Sequence, residues 1–188
     1  TGYPSGYRKL FVDKEIRRLD QVRSHSGALY AGPPDRAAAV NIVMGLFSTG
    51  SDGKKVFYKT DDEIEMMRQS NLVVSKTLAY VASILKPGIT GQTIDEKAEE
   101  FIRDHGGRPA FKGYNDFPSS LCVSYNDIVV HGIPSAREFR EGDIVSVDCG
   151  VELNGYFGDA AFTFAFQDVP EPVMELLRVT YASLYKGL

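Results

Sequence analysis

Two cysteines in 188 residues are too few for a disulfide framework. Cys122 and Cys149 both sit in strand-like apolar runs, which fits buried, reduced thiols in a cytoplasmic protein. No apolar run is long enough to span a bilayer. No charged n-region leads into an apolar stretch and a small-residue cleavage site, so no secretory signal is expected. Basic charge is not in excess either: a net charge of −4 argues against a dedicated nucleic-acid binder. Repeats and low-complexity tracts are missing. What is present is the composition of an ordinary soluble domain, with 43% hydrophobic and 24% charged residues, and a length that suits one domain with an extension.

Along the chain, residues 1–57 form an unassigned N-terminal segment. Leu10–Val22 is charged with weak helical spacing, Ala37–Phe47 is an apolar run, and Gly50-Ser51-Asp52-Gly53 could turn a hairpin into Lys55–Tyr58. From Thr60 the pattern sharpens. Thr60-Asp61-Asp62-Glu63 is a capping box, followed by Ile64, Met67, Val74, Leu78 and Val81 near helical spacing up to Leu85. Lys86-Pro87-Gly88 stops that helix. A second helix is expected from a capping box at Thr93 and Glu96, with Ile94, Ala98 and Ile102 on one stripe and a stop at His105-Gly106-Gly107. Short strands are predicted over Leu121–Tyr125 and Ile128–His131, then longer ones over Asp143–Leu153 and Tyr156–Phe166. Pro170-Glu171-Pro172 opens a last helix with Val173, Leu176, Leu177, Tyr181 and Leu184 on its apolar side.

Between the two long strands, Asn154-Gly155 is a strong hairpin signal, because a type I′ turn needs positive φ at both central positions. A two-residue loop there sets Leu153 opposite Tyr156 and Asp148 opposite Ala161. Asp159 then lies two positions along from Ala161, on the same face as Asp148. Diagonal Cβ atoms of this kind stand roughly 7–8 Å apart, which lets two carboxylates share one or two metal ions roughly 3.5–4 Å apart. The same pair could instead face water on an open side of the sheet, or meet Lys or Arg. A one-residue slip of the hairpin would part the carboxylates onto opposite faces. His131 precedes Gly132-Ile133-Pro134 at a predicted strand rim, where an imidazole suits proton or hydrogen-bond exchange with a substrate. A lone histidine is nevertheless more often structural. His105 reads as a helix cap, and His25 has no claim.

Longer motifs narrow this further. Residues 58–188 resemble the N-terminal half of the bacterial-type methionine aminopeptidases, in the pita-bread (creatinase/aminopeptidase) superfamily. The resemblance rests on Lys86-Pro87-Gly88, Pro109-Ala110-Phe111-Lys112-Gly113-Tyr114, Phe117-Pro118-Ser119-Ser120-Leu121-Cys122, Val130-His131-Gly132-Ile133-Pro134, Gly142-Asp143-Ile144-Val145-Ser146-Val147-Asp148 and Gly158-Asp159. It implies an α+β fold: the first αβ half of the pita bread, with helices packed on an antiparallel sheet. It also implies removal of initiator methionine from nascent chains with divalent metal, two ions per complete site, drawn from cobalt, manganese, iron and zinc.

By resemblance, Asp148 is a bidentate ligand of one metal and Asp159 bridges both. His131 is the substrate-side histidine, and Phe111, Tyr114, Phe117 and Cys122 line the pocket for the methionine side chain. Any one of these four could equally be ordinary core. The implied partners are nascent peptide N-termini and the ribosome, with no membrane and no nucleic-acid specificity, and the complete enzyme is expected to be monomeric.

Two departures stand out. Asn115 replaces a histidine frequent in the family's pocket loop. The family's remaining ligands, a histidine and two glutamates from the second half, have no counterpart in residues 1–188. The domain over 58–188 therefore reads as truncated on its C-terminal side, and the 188-residue chain alone is expected to be inactive. Two further readings stay open: a non-catalytic pita-bread binding protein, and a proline-dipeptidase-like relative that shares the two aspartates.

Overall fold

Thr60 caps the first helix. Its hydroxyl accepts from the Glu63 amide at 3.2 Å, and the Glu63 carboxylate accepts from the Thr60 amide at 2.8 Å, so the capping box forms as read. The computed structural model describes residues 57–187, nearly all of them in the compact unit Lys59–Leu188. The expectations placed on Leu10–Val22, Ala37–Phe47 and the Gly50–Gly53 turn lie outside the described residues.

In order, the elements are α1 (Asp61–Ile84), α2 (Gly91–Asp104), β1 (Arg108–Pro109), a 3₁₀ turn (Tyr114–Asp116), β2 (Leu121–Tyr125), β3 (Ile144–Leu153), β4 (Tyr156–Ala165) and α3 (Glu171–Gly187). The cap of α2 differs from expectation. Thr90, not Thr93, is the N-cap, accepting from the Thr93 amide at 3.1 Å, while the Thr93 hydroxyl meets the Thr90 hydroxyl. Gly91 sits against the Pro134-Ser135 backbone, and Gln92 N donates to Ser135 O, so packing moves the start forward.

β3 is the central strand. β4 runs antiparallel along one edge, and β2 and β1 follow one another antiparallel along the other. Side chains alternate across the pleat. Val145, Val147, Cys149 and Val151 point to the helix side and are fully buried with Val74, Val81, Ile94, Ala98 and Ile102. Burying a side chain of this kind is worth about 1.5–3 kcal/mol. The helical stripe of α1 also holds Ser70 and Thr77, both fully buried. They stay satisfied by backbone acceptors: Ser70 Oγ donates to Tyr156 O at 2.9 Å and Thr77 Oγ1 to Val73 O at 2.8 Å. Small residues are needed there because α1 presses on β4. A Cβ added at Gly158 would stand 2.6 Å from Asn71 N.

One strand expectation fails. Ile128–His131 is not a strand: Ile128 N closes a turn on Tyr125 O, and Val129 and Val130 are exposed. β-branched residues favour strands only where a pleated, half-buried surface receives them. Here Asn126, at φ 53, turns the chain out of the sheet. The helix α3 forms but buries none of its residues, with Leu176, Val179 and Leu184 exposed and Val173, Leu177 and Tyr181 only half-buried. No helix of the described residues is long and apolar enough to cross a membrane.

Candidate metal centre

The hairpin register sets the site. Asn154 and Gly155 hold φ of 54 and 82, the two positive values a type I′ turn demands. Leu153 pairs with Tyr156, Asp148 with Ala161, and Gly150 with Asp159. The carboxylates of Asp148 on β3 and Asp159 on β4 therefore leave the same face of the sheet, the face opposite α1 and α2. The apolar neighbours Val147 and Cys149 point the other way, so they are not what crowds Asp148.

Asp148 is nonetheless in an uncomfortable place. Its Oδ1 is buried with no hydrogen-bond partner, and it is the one such side-chain oxygen or nitrogen among the described residues. An unsatisfied buried acceptor costs about 1–3 kcal/mol, more when charged. Burial, then the charge of Asp159, push Asp148 up to about 6, with His131 pulling back in part. Two carboxylates that repel, one with an orphaned oxygen, are what a divalent cation relieves, and hard oxygen donors suit such a cation. The pair supplies only part of a coordination shell. Among the described residues no group of three or more His, Cys, Asp and Glu could hold a metal ion.

Of the other predicted residues, Cys122 and Phe111 lie on this face. Cys122 of β2 stands opposite Asp148 in the ladder. Burial and the charges of Asp148, Asp159 and Asp95 push its thiol up to about 11, so it stays protonated. Cys149, on the helix side, is pushed up to about 12, chiefly by burial. The Phe111 ring covers Gly150, where any Cβ would overlap it. Since Gly150 faces Asp159, Phe111 walls the site from that side. Phe111 opens a tight loop: Tyr114 N donates to Phe111 O, Phe117 N to Tyr114 O, and Gly113 N to Phe117 O at 2.8 Å, with Gly113 at φ 86. Tyr114 is 71% exposed at its tip, and Phe117 is half-buried.

His131 reaches the site from a loop rather than a strand end. It is exposed, sits at φ 55, and lies close enough to Asp148 to act on its charge. Its neighbour Gly132 fixes it. Gly132 O accepts from Val123 N at 2.8 Å, Gly132 N donates to Ser124 Oγ at 3.1 Å, and a Cβ at Gly132 would overlap the Val123 carbonyl oxygen.

Sequence reasoning missed the supports. Asn71 of α1 accepts from the Asp159 amide at 3.3 Å. Asp95 and Glu99 of α2 reach the loop that carries Phe111 and Phe117. Arg137, Asn126 and the Arg140 amide all donate to Asp143. A lone polar residue on a helix gives no signal of a partner dozens of positions away.

The model of metallopeptidase family M24 matches residues 65–188. The chain is 48% identical over 134 residues to methionine aminopeptidase of Clostridium acetobutylicum, covering 71% of this chain and 54% of the relative. It is 44% identical over 133 residues to methionine aminopeptidase 1 of Bacillus subtilis, covering 71% and 54%. Among solved structures, methionine aminopeptidase from Rickettsia prowazekii superposes with a TM-score of 0.69 at 32% identity, over 71% of this chain and 54% of that one. The chain thus spans about half the length of the curated relatives it matches.

Proposed function

The chain belongs to metallopeptidase family M24, with the α+β pita-bread architecture, and from that premise we propose that residues 58–188 supply one side of the site of a cytoplasmic methionyl aminopeptidase. The family implies divalent metal. The observation that carries the reading is the orphaned, buried Oδ1 of Asp148 facing the same space as Asp159.

Asp148 and Asp159 would hold the metal, taken as a pair of ions. When bound, such ions supply an activated water and polarise a carbonyl. The chain's own residues do the rest. His131 stands beside the carboxylates, where its imidazole can hydrogen-bond the scissile amide of a peptide N-terminus. Phe111, Phe117, Tyr114 and Cys122 form a wall of rings and a neutral thiol, good company for the flexible thioether of an N-terminal methionine. Phe111 also excludes water from the sheet face over Gly150. Nascent peptide N-termini are the substrates this predicts.

The test joins this chain in frame to the unmatched remainder of the Clostridium acetobutylicum relative. That protein should release methionine from Met-Gly-Met with Mn²⁺ or Co²⁺. Asp148→Asn and Asp159→Asn should each abolish release and the metal-induced rise in Tm. The 188-residue chain alone, offering two carboxylates, should release no appreciable methionine. Full metal protection in both variants overturns the assignment, and robust turnover by the chain alone overturns the expectation that it is inactive.

A further inference from the structure

Glu99 and Asp95 lie one turn apart on α2, outside the metal face, and both reach the segment Phe111–Cys122. Glu99 Oε2 accepts from Lys112 Nζ at 2.6 Å and from Ser120 Oγ at 2.8 Å, while Arg103 holds Oε1 at 2.7 Å. Asp95 Oδ1 accepts from the Leu121 amide at 2.7 Å. Lys112 follows Phe111 directly, and Ser120-Leu121 leads into Cys122. One helix therefore grips both feet of the loop. Between the feet the loop carries three positive φ values, at Gly113, Asn115 and Asp116. Such backbone holds its shape only where its surroundings impose it. Glu99 is mostly buried, with a side chain 18% exposed, and its three cationic or hydroxyl partners satisfy it.

We propose that Asp95 and Glu99 are positioning residues that fix the loop bearing Phe111, Tyr114 and Phe117, and so set the size of side chain the pocket accepts. This rests on reading that loop as the substrate pocket. Neither acid touches substrate; each acts through Lys112, Ser120 and Leu121. The acids hold the loop's ends at a fixed separation, so the rings between them keep one arrangement.

The sequence contains no tryptophan, so Tyr114→Trp places a single indole reporter at the exposed tip of the loop in the 188-residue chain. In that background Glu99→Ala should lower the anisotropy of the indole and raise tryptic cleavage after Lys112 at least tenfold. Cleavage after Arg140, outside the loop, should change less than twofold. Glu99→Gln, which keeps an acceptor for Lys112 and Ser120, should restore most of the protection. Asp95→Asn, which keeps an acceptor for Leu121, should leave the loop intact where Asp95→Ala loosens it. Unchanged anisotropy and cleavage in Glu99→Ala, or equal opening at both cleavage sites, overturns the proposal. Where methionine release is measured, Glu99→Ala should raise KM at least fivefold with kcat within twofold. A fall in kcat at constant KM overturns the pocket role. The fluorescence readout needs no catalysis, so failure to release methionine in the preceding assay counts against that reading and leaves the loop measurements decisive here.

Discussion

Asp143 lies just before β3 and Asp148 midway along it, and the fold treats them in opposite ways. Asp143 is buried and fully partnered. Its carboxylate accepts from Arg137 Nη1 at 2.9 Å, Asn126 Nδ2 at 2.8 Å and the Arg140 amide at 2.9 Å, and Arg137 also lies over the Tyr125 ring. Burial alone would raise its pKa; the hydrogen bonds outweigh that and hold it at about 2. Asp148 has a buried oxygen with no partner and a carboxyl raised to about 6, first by burial and then by Asp159. One aspartate stabilises the fold; the other is tolerated by it. The difference is the physical ground of the proposed metal site, since an acid left uncompensated in an otherwise satisfied sheet is a candidate for binding.

The comparison breaks hardest at Asp143. Asp143→Ala leaves Arg137 and Asn126 without their acceptor and frees the 126–143 loop that carries His131. Arg137 is partly exposed, so the loss should be about 2–4 kcal/mol, below that of a fully buried pair. Urea denaturation at neutral pH measures it. The pH dependence has a fixed sign. A carboxyl whose folded pKa lies below its unfolded value adds stability above about pH 4, and that stability is lost as pH falls toward 2. The wild-type chain should therefore lose its advantage over Asp143→Ala between about pH 4 and pH 2. An undiminished gap at the acid end of that window contradicts the charge-based account.

How much of this could be read without coordinates follows the same division. The Asn154-Gly155 turn was legible because local chemistry dictates it, and with it the shared face of Asp148 and Asp159. The Thr60 capping box was legible for the same reason. Ile128–His131 misled because its β-branched residues report a propensity, whereas Asn126, held by Asp143 and Ile144, diverts the chain. The α2 start shifted because Gly91 packs on Ser135, far along the chain. Glu99 and Asp95 were silent because a helical acid looks the same whether it faces water or clamps a loop. Long-range polar contacts leave no local period to read.

His131 lies between the two aspartates in kind, being exposed and proposed for function yet held by a structural neighbour. Gly132→Ala sharpens the comparison there. The new Cβ would overlap the Val123 carbonyl oxygen, with no flexible side chain to give way, so the backbone of 131–133 must move. Overpacking of this sort costs about 1–3 kcal/mol. The His131 ring resonances should shift in a two-dimensional NMR spectrum, while β3–β4 amides such as those of Phe162 and Thr163 stay in place. Unmoved His131 resonances would mean that Gly132 does not set its position.

The smallest effect carries the opposite sign, and so separates the two aspartates most cleanly. A carboxyl raised from 3.8 to about 6 corresponds to at most about 3 kcal/mol against the ionised folded state at neutral pH. Solvent reaches the rest of the half-buried side chain, which brings the figure to about 1–2 kcal/mol. Asp148→Asn removes the charge and its repulsion with Asp159 while nearly keeping the shape. In EDTA the variant should therefore be more stable than wild type by about 1–2 kcal/mol, where Asp143→Ala is less stable. Added Mn²⁺ should raise the Tm of wild type and leave that of Asp148→Asn unmoved, closing or reversing the gap. If Asp148→Asn instead destabilises the metal-free chain as Asp143→Ala does, Asp148 is a structural carboxylate with a partner of its own, and the contrast between the two aspartates collapses.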